Sequence, residues 1–248
     1  MKNFLLRKVR LSWYFIFFLA TYFLLLGIIP RVTFTSAALT LFSVNSFLYG
    51  FYIAPVLSAQ KARIDELHKV VRAEANAIFT MVLYIKKFPR SLRTRFQEQF
   101  DQYLLSCTTN KLKRAEQIYE DLITHCITYK GNSKAEIDTL LGYLVANQQN
   151  RTNFYLQMGN KVYSNEWMIM GVLFSITLIF ILLIDAGDMI SIRVVTALLC
   201  AGISMLMLSL VKLNSLTHKK AKLIWTPFKT LTETRYYRID DQEDQIDG

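Results

Sequence analysis

Four uncharged stretches of the 248-residue chain constrain its fold more than any other feature. Each is close to the length of about 20 apolar residues that a helix needs to cross the hydrocarbon core of a bilayer. The segments between them are charged and too polar to lie in lipid. The sequence therefore predicts an all-α, polytopic membrane protein, with four transmembrane helices inside residues 11–30, 32–60, 167–184 and 194–211.

The first stretch follows a basic leader, as the apolar core of a secretory signal peptide also does. It is longer than the usual core of about 7–15 residues. It also ends at Gly27 and Pro30 without a convincing cleavage site. We therefore interpret it as a retained first membrane helix.

The net charge of +10 is typical of proteins that bind nucleic acid, but the positions of the charges favour another explanation. Arg31 and Arg193 are the only basic residues in the two short connections between paired membrane helices. All other basic residues lie in the leader, in the middle of the chain or in the tail. The positive-inside rule then places both termini and the middle region in the cytoplasm. The basic excess is a topological signal, and we expect no nucleic-acid partner.

The chain is expected to divide into four segments. A leader and the first two transmembrane helices occupy 1–60, and a cytoplasmic helical region continuous with the membrane helices occupies 61–165. The third and fourth transmembrane helices occupy 166–213. A cytoplasmic tail follows at 214–248, and its acidic end is expected to be disordered, with docking onto a basic neighbouring subunit as the alternative. Basic residues after the fourth helix predict a contact with lipid headgroups at Lys212, His218, Lys219, Lys220 and Lys222.

The middle region shows apolar residues at steps of three and four, which is typical of amphipathic helices. The first such helix continues the second membrane helix and ends at Pro89. A second begins near Ser91 and is bent near Thr108, and a third begins at a capping box formed by Ser133 and Glu136 and continues into the third membrane helix. We expect simple helix pairs to leave part of these apolar faces uncovered, which favours self-association into a homo-oligomer. The faces are Ile64, Leu67, Val71, Ala75, Ile78 and Val82; Leu92, Phe96, Phe100 and Leu104; Leu112, Ala115, Tyr119, Leu122 and Cys126; and Ile137, Leu140, Leu141, Leu144, Tyr155, Met158 and Val162.

Enzymatic chemistry has little support in the sequence. There is no glycine-rich phosphate loop, no nucleophile elbow and no His/Cys set with metal-ligand spacing. The carboxylates of the middle region alternate with bases, as on solvated helix faces. We therefore expect no enzymatic activity, no cofactor and no bound metal.

The second membrane stretch is unusual because hydroxyl groups recur along it. On a helical projection one face carries small, hydroxyl and aromatic residues, and such a face can line a pore in which aromatic rings form a constriction. Phe51 lies beside this face. The alternative is that small and hydroxyl residues let helices pack closely. The predicted pore-lining residues are Ser36, Thr40, Ser43, Phe47, Gly50, Phe51 and Ala54.

A different face of the same helix carries Asn45, Tyr49 and Tyr52, which predict a hydrogen-bonded seam with a neighbouring helix. Asp185 and Asp188 lie before the fourth helix, at its outer end. They either concentrate cations at an outer mouth or cap the fourth helix, and we favour capping.

Part of the sequence resembles a bacterial bestrophin-like family of four-span membrane proteins. The resemblance rests on the residues from 61 to 63, from 70 to 78, at the Phe88-Pro89 break and from 147 to 151, with the Glu74–Ile78 stretch as its distinctive part. In that family a polar second span leads into a basic helix, a Glu-Ala-Asn-Ala-Ile stretch and a Leu-Pro break. Phe88 here replaces the leucine.

The resemblance implies a homo-oligomeric ion channel of the bacterial inner membrane, expected to be a pentamer, with the second span around the permeating ion. Basic residues near the inner mouth, Lys61, Arg63, Lys69 and Arg72, favour anions. Glu74 and Asn76 are the motif residues. A cation channel of the same architecture and a non-conducting scaffold or regulatory subunit, which binds a partner through its cytoplasmic helices, remain as alternatives.

Overall fold

A computed structural model describes residues 9–109, 111–185, 189–217 and 223–233. Throughout these ranges the chain is helical, and its only bridge between extended residues joins Val32 to Ile184. This confirms the all-α prediction. The helices are α1 (Leu11–Ile28), α2 (Ser36–Ile85), α3 (Arg90–Thr108), α4 (Leu112–Thr128), α5 (Lys134–Gly159), α6 (Ser164–Leu183), α7 (Ile190–Asn214) and α8 (Thr226–Glu233).

Four helical stretches are long and apolar enough to cross a membrane: α1, α2, the stretch Lys134–Leu183 that contains α5 and α6, and α7. These four stretches agree with the four predicted from the sequence and are compatible with a multi-pass membrane protein. We refer to their apolar parts as the first to fourth spans.

Helix α2 is 50 residues long and contains Pro55 without ending there. At 1.5 Å per residue its length is about 75 Å, whereas the hydrocarbon core of a bilayer is only about 30 Å thick. The second span therefore continues as a helix far beyond the length that lipid can cover, as the sequence predicted. The helix ends at Ile85, and Pro89 occupies the position before α3.

The corresponding prediction for the third span is wrong. Helix α5 ends at Gly159 and α6 begins at Ser164, so the two are separate helices. The start of α6 is stabilised locally, because the Glu166 carboxylate accepts a 3.0 Å hydrogen bond from the Tyr163 backbone N–H. A carboxylate in this position satisfies a backbone donor that the helix itself leaves unpaired.

The chain forms two compact units. The span unit comprises Met1–Ile64 and Asn160–Lys222, and the insert unit comprises Asp65–Gly159 and Leu223–Gly248. In the span unit, α1 packs on α6 and α7 around Tyr22, Leu26 and Cys200. A buried hydrogen bond of 2.6 Å joins the Tyr22 and Ser204 hydroxyls across this core.

The insert unit buries its own apolar faces. The α2 face from Leu67 to Val82 is almost fully buried, as are Phe96 and Phe100 of α3 and the predicted face of α4 from Ala115 to Cys126. The expectation that these faces stay partly uncovered within one chain is wrong, because more than two helices cover one another where simple pairs would not. These faces therefore give no argument for self-association, which stays a prediction. On α5 the buried face passes from Leu144 to Asn147, Arg151 and Phe154.

Candidate functional site

The seven predicted pore-lining residues of α2 are all exposed in the single chain, and we call them the open face. Two of their hydroxyl groups are hydrogen-bonded within the helix itself. Thr40 Oγ1 donates to the Ser36 carbonyl and Ser43 Oγ to the Leu39 carbonyl, each at 3.0 Å. These hydroxyls therefore make no contact that joins helices of this chain, which is the role that the packing alternative required within a subunit.

Two exposed aromatic rings lie next to each other on the open face. Phe47 and Phe51 are 68% and 69% exposed, and their ring centroids lie 6.0 Å apart with an interplanar angle of 18°. Residues four apart lie one above the other on a helix, so this stacking follows from their spacing. The pair forms one continuous apolar surface on the side of α2 that its own chain leaves uncovered.

The opposite side of α2 forms the predicted seam. The Asn45 side-chain amide donates to the Thr177 hydroxyl at 2.8 Å and to the Leu173 carbonyl at 3.2 Å. Tyr49 is buried, and its hydroxyl donates to the Ile203 carbonyl at 3.5 Å.

Tyr52 packs against the same core, which joins α2 to α6 and α7. The seam prediction is confirmed. Since amide and hydroxyl groups have no partner in lipid, this seam fixes the rotation of α2 and directs the open face away from α6 and α7.

Of the four basic residues assigned to an inner mouth, Arg63 differs from the others. It is only 3% exposed, and its guanidinium donates to Gln60 Oε1 at 3.0 Å and to the Asn214 carbonyl at 3.4 Å. The Asn214 side chain in turn accepts a 3.0 Å hydrogen bond from the Val162 N–H. Arg63 therefore binds the C-terminal end of α7 in the span unit.

Lys61, Lys69 and Arg72 are exposed. The Lys69 ammonium lies 3.2 Å from the Glu66 carboxylate. An exposed pair of this kind contributes little to stability, and it leaves the ammonium in contact with solvent.

At the other end of the span unit, Asp185 lies beside Arg31. Their charged atoms are 3.9 Å apart, and the backbones of Asp185 and Val32 are also hydrogen-bonded. Met189 occupies the N-cap position of α7, and no side chain caps that helix. The capping prediction is therefore wrong for Asp185, because its carboxylate pairs with Arg31. This pair lies beside the Val32–Ile184 bridge, which joins the α1–α2 loop to the α6–α7 loop. Asp188 lies outside the described residues.

Glu74 and Asn76, the two motif residues of the resemblance, have different environments. Glu74 is buried in the insert unit, where its carboxylate accepts a hydrogen bond from the Tyr103 hydroxyl. Asn76, two positions later, is exposed and lines a groove. Neighbouring helix positions point in different directions, so one short motif serves both the interior and the surface.

Glu74 is one end of a buried polar network. The Arg151 guanidinium lies 3.9 Å from the centroid of the Tyr119 ring and 5.7 Å from that of Tyr103. The Tyr119 hydroxyl accepts from the Asn147 amide at 3.1 Å and donates to the Leu144 carbonyl at 2.8 Å. Burial raises the pKa of the Tyr103 hydroxyl, and the adjacent Glu74 carboxylate raises it further, so this hydroxyl stays protonated as a donor.

Arg151 compensates for the buried carboxylate without a direct ion pair. A guanidinium over an aromatic face gains electrostatic attraction, and its positive charge acts on Glu74 through a water-poor interior. The resemblance had singled out the polar stretch from 147 to 151 without a role for it. The structure shows that Asn147 and Arg151 belong to the buried face of α5, which their spacing of three and seven residues from Leu144 could have indicated.

Among the residues that the structure describes, no group of three His, Cys, Asp or Glu side chains has the geometry to hold a metal ion.

No protein-family model matches the chain, and no curated protein or solved structure matches it either.

Proposed function

We propose that the chain is an oligomeric ion channel of the bacterial inner membrane that conducts anions in preference to cations. Its pore is lined by the open face of the second span. One observation carries this proposal. The side of α2 that bears Ser36, Thr40, Ser43, Phe47 and Ala54 is exposed, while the side that bears Asn45 and Tyr49 is packed within the chain.

The order of residues along the open face suits a pore. Its N-terminal part carries hydroxyl groups, which can solvate an ion, and its middle carries Phe47 and Phe51. Several copies around an axis would bring these rings together as a constriction that conducts or closes according to whether water fills it. A homo-oligomer supplies those copies, and the resemblance to the bestrophin-like family implies that it is a pentamer.

Anions are favoured by two features. Lys61, Lys69 and Arg72 follow the second span on the same helix and are exposed. At the other end, the charge of Asp185 is offset by Arg31, which weakens the case for a ring of free carboxylates that concentrates cations.

In this proposal both termini and residues 61–165 lie in the cytoplasm, as the distribution of basic residues predicts. The basic residues from His218 to Lys222, which lie outside the described residues, are assigned to lipid headgroups. The headgroup prediction is wrong for Lys212, because this residue is only 4% exposed and its ammonium donates to the Val9 carbonyl at 3.0 Å. No catalytic step, cofactor or nucleic acid takes part.

Ion flux into liposomes that contain the purified chain tests the proposal. Chloride is replaced by a large organic anion in one series, and potassium by a large organic cation in another. Flux that disappears only in the first series supports an anion channel, and flux that disappears only in the second supports the cation channel of the same architecture. Absence of flux under varied pH, calcium and voltage would contradict conduction and favour the scaffold alternative.

A further inference from the structure

The insert unit contains a groove of about 620 Å³ between α2 and the short helix α8. Pockets that bind small molecules have volumes of about 300–1,000 Å³. The wall formed by α8 is anchored, because Phe228 is fully buried and its ring stacks on Trp225 with centroids 5.8 Å apart. Trp225 in turn contacts the ring of Phe154. The groove is therefore formed without a ligand.

One side of the groove presents hydrogen-bond donors. His68, Arg72 and Asn76 occur at successive four-residue steps of α2, and Thr226 and Thr230 occur one turn apart on α8. A guanidinium, an amide, an imidazole and two hydroxyls suit a carboxylate or phosphate group. Among the described residues that line the groove there is no carboxylate, so the lining carries no negative charge that would repel an anion.

The rest of the lining is apolar. Ala75 and Phe79 contribute from α2, and Leu223, Pro227 and Leu231 contribute from the segment that contains α8. These side chains offer a surface for a hydrocarbon body directly beside the donors. A small hydrophilic anion would leave this surface uncovered, and a neutral hydrocarbon would leave the donors without a partner.

We propose that this groove binds a free single-chain anionic amphiphile, with the acidic head at Arg72 and Asn76 and the alkyl chain against Phe79 and Leu231. The volume suits one chain of moderate length and is too small for both chains of a membrane phospholipid. The site is distinct from the open face of α2, and the inference holds whether or not the chain conducts ions.

Equilibrium dialysis of radiolabelled decanoate tests the site, with the full chain in nanodiscs of neutral lipid and empty nanodiscs as the background. Saturable binding is expected with decanoate, and acetate and inorganic phosphate are expected not to compete. Decanol is expected to compete at least about tenfold more weakly, because it lacks the charge that strengthens a hydrogen bond to Arg72. Competition by acetate or phosphate at the same concentration would show a simple anion site, and equal competition by decanol would show a simple apolar site; either result overturns the proposal.

Two variants locate the binding. Arg72→Gln is expected to weaken decanoate binding about tenfold, whereas Arg114→Gln, an exposed arginine of α4 away from the groove, is expected to leave it unchanged. Thr230→Trp fills the groove from an exposed position and is expected to abolish saturable binding. Circular dichroism of each variant shows whether the fold persists. Unchanged binding in both groove variants, or equal loss in the Arg114 control, overturns the assignment.

Discussion

The Asn45 amide donates a 2.8 Å hydrogen bond to the Thr177 hydroxyl, and this contact joins the second and third spans of one chain. Thr177 also donates to the Leu173 carbonyl, which itself accepts from Asn45. Both donor hydrogens of the Asn45 amide and the hydroxyl hydrogen of Thr177 therefore have an acceptor. A helix held at this face has a fixed rotation, and the open face follows from it.

Replacement of Asn45 by alanine removes both hydrogen bonds and is expected to destabilise the span unit. Hydrogen bonds between membrane helices contribute about 0.6 kcal/mol on average and up to about 1.7 kcal/mol. Thermal unfolding in detergent measures the change. Ser43→Ala is the matched control, because this hydroxyl bonds only to its own helix, and it is expected to unfold like the wild type. Equal loss of stability in both variants would contradict the role of the seam.

The length and lack of charge of the apolar stretches were sufficient to predict the spans, and helical periodicity was sufficient to predict the continuous α2 and most of the insert core. It succeeded because the apolar residues at 67, 71, 78 and 82 recur at helical spacing and are in fact buried. The Asn45 seam was also predictable, since polar groups inside a span require a protein partner or water.

Other features depend on tertiary contacts that periodicity does not contain. In the sequence, Arg63 and Arg151 have the appearance of solvated bases, yet both are buried. Arg63 donates to a carbonyl at the end of α7, and the Arg151 guanidinium packs over two tyrosine rings. The interruption between Gly159 and Ser164 depends instead on local signals that periodicity does not include. Gly159 and Asn160 mark the end of α5, and the Glu166 carboxylate caps the start of α6. The mutual burial of the insert faces required the positions of four helices at once.

The hydrogen bond from Tyr103 to Glu74 gives a second prediction. Tyr103→Phe keeps the ring under Arg151 but leaves a buried carboxylate without its hydroxyl donor. Burial raises the pKa of the Glu74 carboxyl, while the Tyr103 hydrogen bond and the charge of Arg151 lower it. The loss of unfolding free energy is expected to be about 1 kcal/mol where Glu74 is protonated and about 1.5–3 kcal/mol where it is ionised. Chemical unfolding followed by circular dichroism measures it.

Tyr143→Phe controls for the loss of a hydroxyl. Tyr143 is exposed, and its ring contact with Tyr84 survives the substitution. In a double-mutant cycle, Tyr103→Phe should cost much less in the background of Glu74→Gln, because the neutral amide needs the donor less. Additive effects of the two substitutions would show that the pair does not interact.

The cysteines of the insert unit give a prediction about reactivity. Burial raises the pKa of the Cys107 thiol to about 12 and that of Cys126 to about 11. Only the thiolate is nucleophilic, and a raised pKa lowers its fraction at any pH below that value. We expect iodoacetamide at pH 8 to modify neither residue in the folded chain and both after denaturation, with peptide mass spectrometry assigning each site. Rapid modification of Cys107 in the folded chain would contradict its burial.

Phe47 provides the prediction that bears most directly on conduction. Phe47→Ala removes an exposed ring from the open face, so its effect on stability is expected to stay within about 0.5 kcal/mol, while liposome flux rises several-fold because the narrowest apolar part of the pore widens. Phe17→Ala, an exposed ring on the first span, is the matched control and is expected to leave flux unchanged. If Phe47→Ala leaves flux unchanged while Tyr52→Phe on the seam alters it, permeation follows the other face of α2. If the two phenylalanine variants raise flux equally, the effect comes from a general loosening of the spans and the constriction does not lie at Phe47.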